Sequence, residues 1–546
     1  MAAAFTAKFI THASSPCFGT SVADEPFAWL TYSAVHCRAL AIGAGLHYLA
    51  GDRAMVAMCA PNSLDLLHVD LAALWAGFTS APFDAGCRDR DIIAHIINTT
   101  QATMVVCSYD ALATIYAVSP SCASLKHIVV IDSRDGRPLP ALDSDSARAV
   151  SSVLFTRTKH TVVKVSLLSA VEAAGAEILD AGPIAPLLTH LYGTAPDRST
   201  ALMKRVRARS DDEVFSIIFT SGSTGLPKGV IWSEGRWLRD MVSYPDTVSA
   251  SHMPLSHITD RHGVYTTLFS GGRCGVYEAT AHKGPAGLFD GWLTRLSPSI
   301  LKGSPRHWTT LLDMFNDSGS TLEEWRETRV LGTRVSVLVS GGAHLASATK
   351  LFLQTAFPDA IIIDGYGATE SGNITSNGIL TEGTQIKLLD LPALQYFSAD
   401  KPLPRGELLV KTKAPFEGYF ADSKKTSETL DADGWYHTGD IVSFDAATKR
   451  VDILGRSKFV IKLANAEYIS PERVERDINA GCSLVHRVMV YGDSEAHFIV
   501  AIVSLDKDGV CEWWDSTTAK DSDEVALSMR VEELSKLPGL HAAMAA

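Results

Sequence analysis

The feature that most narrows the possible folds is an alternation through the first two-thirds of the chain. Short apolar, often β-branched runs are each followed by a stretch with helical spacing. Residues 54–59 (AMVAMC) read as a buried strand, and Leu64, Leu67, Leu71, Leu74 and Trp75 then recur on one helical face. Residues 103–107, 128–131, 214–219, 335–339 and 360–363 carry further strand signals. Strands separated by helices pair in the same direction, because a parallel pair needs a crossover long enough to hold a helix. The expectation is an α/β fold, with a large N-terminal domain of layered, mostly parallel sheets. Near residue 455 the character changes: 486–491 and 498–505 look like two strands, and 524–537 like an amphipathic helix. This end reads as a small α+β domain, with the boundary close to Lys458, giving domains over 1–457 and 458–546. Residues 133–147 (SRDGRPLPALDSDSA) read as a polar surface loop, and no repeat or heptad is present.

Composition bounds the function. With 46% apolar and 20% charged residues, the 546-residue chain is of ordinary globular type and long enough for more than one core. A net charge of −12 argues against a general nucleic-acid binder, so any anionic ligand must meet local positive charge. Nine scattered cysteines without a CxxC pair read as reduced thiols of a cytoplasmic protein, with no zinc site. No apolar run is long enough to span a bilayer. The start, MAAAFTAKFITHASSPC, is read as a plain terminus, with only weak resemblance to an organelle presequence.

Four motifs carry chemistry. Residues 219–230 read FTSGSTGLPKGV, directly behind the 214–219 strand signal. Hydroxyls and backbone N–H groups of Thr220, Ser221, Gly222, Ser223, Thr224 and Gly225 can wrap a polyphosphate, and Lys228 adds a positive charge. The common P-loop is excluded, since Pro227 stands where its second glycine belongs and Gly229, not serine or threonine, follows Lys228. Residues 361–375 (IIIDGYGATESGNIT) deliver Asp364, Gly365, Tyr366, Gly367, Thr369 and Glu370 to the carboxyl end of a strand, where α/β sheets collect ligands. There a tyrosine can stack on a purine, while threonine and glutamate suit phosphate oxygen and magnesium. Residues 433–440 (DGWYHTGD) place Asp440 after a glycine turn, able to accept from two ribose hydroxyls. The fourth string runs from Gly455 through Arg456, Lys458 and Lys462 to Glu475.

In this order, over roughly 215–475, these motifs resemble the adenylate-forming enzymes: acyl-CoA synthetases, luciferases and the adenylation domains of peptide synthetases and carboxylic acid reductases. Residues 390–412 and the string KLANAEY look most like carboxylic acid reductase adenylation domains, with long-chain acyl-CoA synthetases close behind. The resemblance implies that Tyr366 lies against adenine, Thr369 contacts the α-phosphate and Glu370 binds Mg²⁺. It implies an adenine loop at Ser340–Gly341–Gly342–Ala343–His344, ribose contacts from Asp440 and Arg456, and a nucleotide contact from Ile453. His257, in MPLSH, would border the acyl pocket, with walls near Trp308 and Gly341. Lys458 would be the hinge of a mobile small domain, and Lys462 would face the site in its second pose. Lys228, Thr369, Glu370 and Lys462 are the implied catalytic set. The implied reaction is ATP-dependent activation of a fatty or aromatic acid to acyl-adenylate, releasing pyrophosphate. Transfer to CoA or to the phosphopantetheine thiol of a carrier protein follows.

Two departures stand out. Ala466 occupies a position where the family usually has glycine. Lys507, Lys520 and Lys536 do not lie in the Gly-rich loop that carries the family's late catalytic lysine, so the small domain is expected to be truncated. The alternative expectation is a homologue that binds nucleotide but turns over weakly; a luciferase-like monooxygenase is not favoured.

Overall fold

A computed structural model describes residues 1–21, 25–51, 53–131, 161–165, 210–220, 225–278, 287–464, 468–482, 484–493, 495–505 and 509–510. The loop expected at 133–147, the helix expected at 524–537, Ser221–Thr224, Ala466, Lys507, Lys520 and Lys536 lie outside them. The contacts divide the chain into two units: residues 1–377, 381–384 and 411–434, and residues 378–380, 385–410 and 435–546. The boundary expected near Lys458 from the change in sequence character, with domains over 1–457 and 458–546, remains a proposal.

The larger unit holds three sheets. The first has seven strands in the order Thr161–Val165, His127–Ile131, Met104–Ser108, Met55–Cys59, Thr79–Pro82, Val214–Thr220 and Lys228–Ser233. All neighbours are parallel except the last pair, which is an antiparallel hairpin. The second sheet combines Val248–Ser251, Arg273–Val276, Pro16–Thr20 and Ala28–Thr31. In the third, Ile300–Gly303, Val337–Gly341 and Ile361–Ala368 run parallel, and Gly372–Ser376 returns antiparallel. The α/β expectation is met, although Val337–Gly341 starts two residues later than the apolar run suggested.

The helix Leu64–Ala76 departs from expectation in an instructive way. Ser63 Oγ caps it by accepting from Leu66 N at 3.1 Å, and Gly77 ends it in the left-handed region at φ 76°. All thirteen of its residues are buried, not only the apolar face. Its polar positions are consumed internally: Asp70 accepts from Arg261 Nε at 2.9 Å and from Tyr265 Oη at 3.0 Å. Arg261 itself is 1% exposed and also donates to Ser80 Oγ at 2.6 Å. The start of the chain differs too. Residues Ala2–Thr11 form a helix whose Phe5 and Phe9, one turn apart, are buried. Phe9 meets Tyr32 and Trp75 with ring centroids 4.7 and 5.0 Å apart, so apolar spacing outweighs terminal position.

The smaller unit holds an antiparallel array in the order Ile379–Leu380, Arg450–Arg456, Tyr436–Asp445, Arg405–Lys411 and Gln385–Leu389. Two hairpins (Ile461–Lys462 with Tyr468–Ile469, and Val485–Tyr491 with Val500–Leu505) and the helix Pro471–Gly481 complete it. No described helix is long and apolar enough to cross a membrane, and the described cysteines are free.

Candidate active site

Two edges of the larger unit build the first group of site residues. Lys228 does not extend the phosphate loop; it opens the strand Lys228–Ser233, opposite Thr220. Thr220 Oγ1 is 3.5 Å from the Lys228 carbonyl. The next residue must be glycine, because a Cβ on Gly229 would stand 2.5 Å from Ile217 Cγ2. The outer edge of this strand is taken by residues 418–420: Ile231 N donates to Gly418 O at 3.1 Å and Phe420 N to Gly229 O at 2.8 Å. That zipper sets Tyr419 beside Lys228.

Tyr419 is the link that sequence reasoning missed. Lys228 Nζ donates to its hydroxyl at 3.3 Å, and the hydroxyl donates to Glu370 Oε1 at 2.8 Å. Burial, and then the Glu370 carboxylate, push the Tyr419 phenol well above its usual range, so it stays a donor. A cation, a neutral bridge and a 7%-exposed carboxylate are thereby joined.

The second missed residue is Arg236. The helix Glu234–Asp240, capped by Ser233 Oγ, carries it inward to complete burial. Its Nη1 donates to Ile231 O at 2.7 Å; its Nη2 donates to Thr369 O at 3.0 Å and to Glu370 O. The guanidinium lies 3.9 Å from the Trp232 ring centre, and Trp232 Nε1 also donates to Thr369 O at 3.2 Å. Burial pulls the Arg236 pKa down to about 10, opposed mainly by Glu417, which leaves it cationic at neutral pH. The Thr369–Glu370 turn is therefore clamped from behind through its carbonyls.

The Ser340–Gly341 and GYG residues, expected to border adenine, meet by register. Ser340 pairs with Asp364 and Gly341 with Gly365 across parallel strands. Asp364, Gly365, Tyr366 and Gly367 lie within the strand Ile361–Ala368, not beyond its end, and that strand is half-exposed rather than buried. The hairpin that follows is tight: a Cβ on Gly367 would sit 2.2 Å from Gly372 O. Gly342 has φ 85° and, like Ala343, is exposed, turning the chain outward after the strand. Burial raises the Asp364 carboxyl above its ordinary range. His257 N-caps the helix Ile258–Phe269, its Nδ1 accepting from Thr259 N at 3.2 Å. Trp308 belongs to a core cluster with Trp292 and Leu311. Gly225 is exposed.

In the smaller unit, Asp440 and Arg456 are register partners in antiparallel strands. Asp440 Oδ1 lies 2.9 Å from Arg456 Nε, and Asp440 N donates to Thr438 Oγ1 at 3.0 Å. Ile453 and Lys458 are exposed, and Lys462 closes the strand Ile461–Lys462.

No group of three His, Cys, Asp or Glu able to hold a metal exists among the described residues. The single carboxylate of Glu370 fits an ion that arrives with phosphate oxygens, which is how Mg²⁺ is commonly bound.

The profile of the AMP-binding enzyme family matches residues 11–420. The chain belongs to that family. Among similar proteins, the peroxisomal long chain acyl-CoA synthetase 6 of Arabidopsis thaliana is 27% identical, over 91% of this chain and 71% of that protein. A carboxylic acid reductase of Segniliparus rugosus is 28% identical over 88% of this chain, which spans only 40% of that enzyme. The solved A domain of the Segniliparus rugosus reductase, in complex with AMP and a co-purified carboxylic acid, shares the fold with a TM-score of 0.72. Identity there is 23%, covering 99% of this chain and 86% of that one. In this AMP-binding enzyme, Lys228 and Glu370 lie on one hydrogen-bond path through Tyr419.

Proposed function

We propose that this protein activates a carboxylic acid with ATP, forming an acyl-adenylate and pyrophosphate, and then passes the acyl group to a thiol. The observation that carries this reading is the Lys228–Tyr419–Glu370 path, which puts a cation and a metal-competent carboxylate side by side. The carboxylate oxygen attacks the α-phosphorus, and the bond to the bridging oxygen of pyrophosphate breaks. Negative charge accumulates on the departing pyrophosphate, and Lys228 is the fixed cation for it. Glu370, together with the nucleotide's phosphate oxygens, would hold a magnesium ion, which would supply further charge neutralisation. Tyr419 stands between the lysine and the glutamate, hydrogen-bonded to both. Arg236 fixes the turn from which Glu370 projects. Tyr366, Gly341 and Asp364 would border the base, and Asp440 and Arg456 the ribose.

On the same reading Lys458 is a hinge and Lys462 serves the second step, with CoA or a carrier-borne phosphopantetheine as thiol. The test is pyrophosphate release dependent on added acid, surveyed over fatty and aromatic acids. Release with at least one acid supports the proposal. ATP binding without release for every acid leaves only a weak homologue.

A further inference from the structure

One lysine placed at the mouth of the third sheet has no role in the reaction outlined above. Lys302 stands in the strand Ile300–Gly303 opposite Val339, one residue before Ser340 and the Gly341–Ala343 turn. This is the carboxyl end of parallel strands, the end at which ligands gather. Its stem lies along the helix Ile258–Phe269, the helix that His257 caps. A Cβ placed on Gly263 would be in van der Waals contact with Lys302 Cδ, Cε and Nζ at 3.5–3.6 Å, so the side chain runs directly beside this helix position.

The charges that face Lys302 are Asp240 and Asp260. Both are committed to other partners. Asp260 accepts from Ser251 Oγ at 2.7 Å, from His252 N and Met253 N at 3.2 Å each, and from Asn62 Nδ2 at 3.3 Å. Asp240 Oδ2 lies 3.3 Å from His262 Nε2. Lys302 Nζ makes no hydrogen bond or ion pair within the distances of these contacts among the described residues. Burial pushes its ammonium down while Asp260 and Asp240 hold it up. The two aspartates balance its charge at a distance but leave its three N–H donors unused.

A plain alkyl or phenyl tail laid against such donors leaves them unpaired, which disfavours that ligand, whereas an oxygen acceptor satisfies them. A second carboxylate would be repelled by the two aspartates. We infer that Lys302 reads a neutral oxygen on the tail of the acid, making hydroxy or keto acids the substrate class rather than plain fatty or aromatic acids. This rests on the acid-activating function proposed above.

The test compares hexanoate, 6-hydroxyhexanoate and adipate, and their shorter and longer counterparts, in wild type, Lys302→Met and Lys302→Arg. Two readouts are taken: kcat/KM for pyrophosphate release, and the shift in melting temperature each acid produces with ATP present. Wild type should prefer the hydroxy acid over the plain acid of equal length by about 10-fold or more. Lys302→Met should bring that ratio to about one or below, and Lys302→Arg should keep it above one. A lysine with a merely structural role would weaken both acids alike and leave the ratio unchanged, overturning the inference. Equal or better use of plain acids by wild type overturns it as well, and a preference for adipate overturns the neutral-oxygen assignment. If no acid releases pyrophosphate, the proposed function fails, while the melting shifts still report which tail Lys302 accepts.

Discussion

Two groups of predicted site residues are held in different ways. In the larger unit, Glu370 is 7% exposed, and the turn that carries it is gripped by a fully buried arginine, an indole N–H and a tyrosine hydroxyl. In the smaller unit, Asp440 is similarly buried, but its partner Arg456 has a side chain 51% exposed. A buried support cannot relax when one member is lost, and a truncated partner leaves unpaired polar groups behind. An exposed arginine can be replaced by water at small cost. The contrast predicts that the larger unit's residues act as a set, whereas those of the smaller unit act singly.

The largest effect should come from Lys228→Met. Loss of one fixed electrostatic group typically lowers turnover about 10²–10³-fold, and acid-dependent pyrophosphate release should fall by that order. Next comes Arg236. Arg236→Met leaves the Thr369 and Glu370 carbonyls without their donor, and a loss of about 10–100-fold in activity is expected, with a raised Mg²⁺ requirement. Arg236→Lys should recover part of it. A magnesium titration of the two variants decides whether Arg236 positions Glu370: unchanged magnesium dependence in Arg236→Met would reduce it to a packing residue. Arg456→Ala should be smaller still in stability, within about 1 kcal/mol by chemical denaturation, because an exposed ion pair contributes little. A larger destabilisation would break the comparison.

The smallest effect is on acid tolerance. Burial holds His68 neutral down to about 4 and His252 down to about 3, so both take up protons only on unfolding as pH falls below their ordinary value. Each therefore removes stability between pH 7 and 5. Asp260 acts oppositely: burial raises its carboxyl to about 6, so the folded chain takes up that proton first and gains stability as pH falls through 6. Two histidines against one aspartate predict a net fall in melting temperature from pH 7 to 5. His68→Gln should lessen that fall, and Arg456→Ala should leave it unchanged.

Much of this arrangement was legible in sequence because it is carried by contiguous strings. The Gly365 and Gly367 string pairs with the Ser340–Gly341 string across parallel strands, and the string ending in Asp440 meets the one opening at Gly455–Arg456 in register. Tyr419 and Arg236 were not legible. Neither lies at a periodic position, and their meaning depends on a zipper between residues 418–420 and 229–231 that no local rule specifies. Glu234–Asp240 is only seven residues long, too short for periodicity to reveal its buried face. The helix Leu64–Ala76 shows the converse error. Its apolar spacing marks one face only, but all thirteen residues are buried, with Asp70 committed to Arg261, nearly two hundred positions away. Lys302, between two ordinary apolar residues and a glycine, gave no signal until the fold put Gly263 and the two aspartates around it.

The central claim is attack by a carboxylate oxygen on the α-phosphorus of ATP. Turnover of an acid labelled with ¹⁸O in its carboxylate, in the presence of a thiol acceptor, tests it most directly. The bridging oxygen of an acyl-adenylate leaves with the nucleotide, so AMP carrying one labelled oxygen, alongside unlabelled pyrophosphate, is the predicted result. Label in inorganic phosphate with formation of ADP, or AMP formed without label, would contradict it.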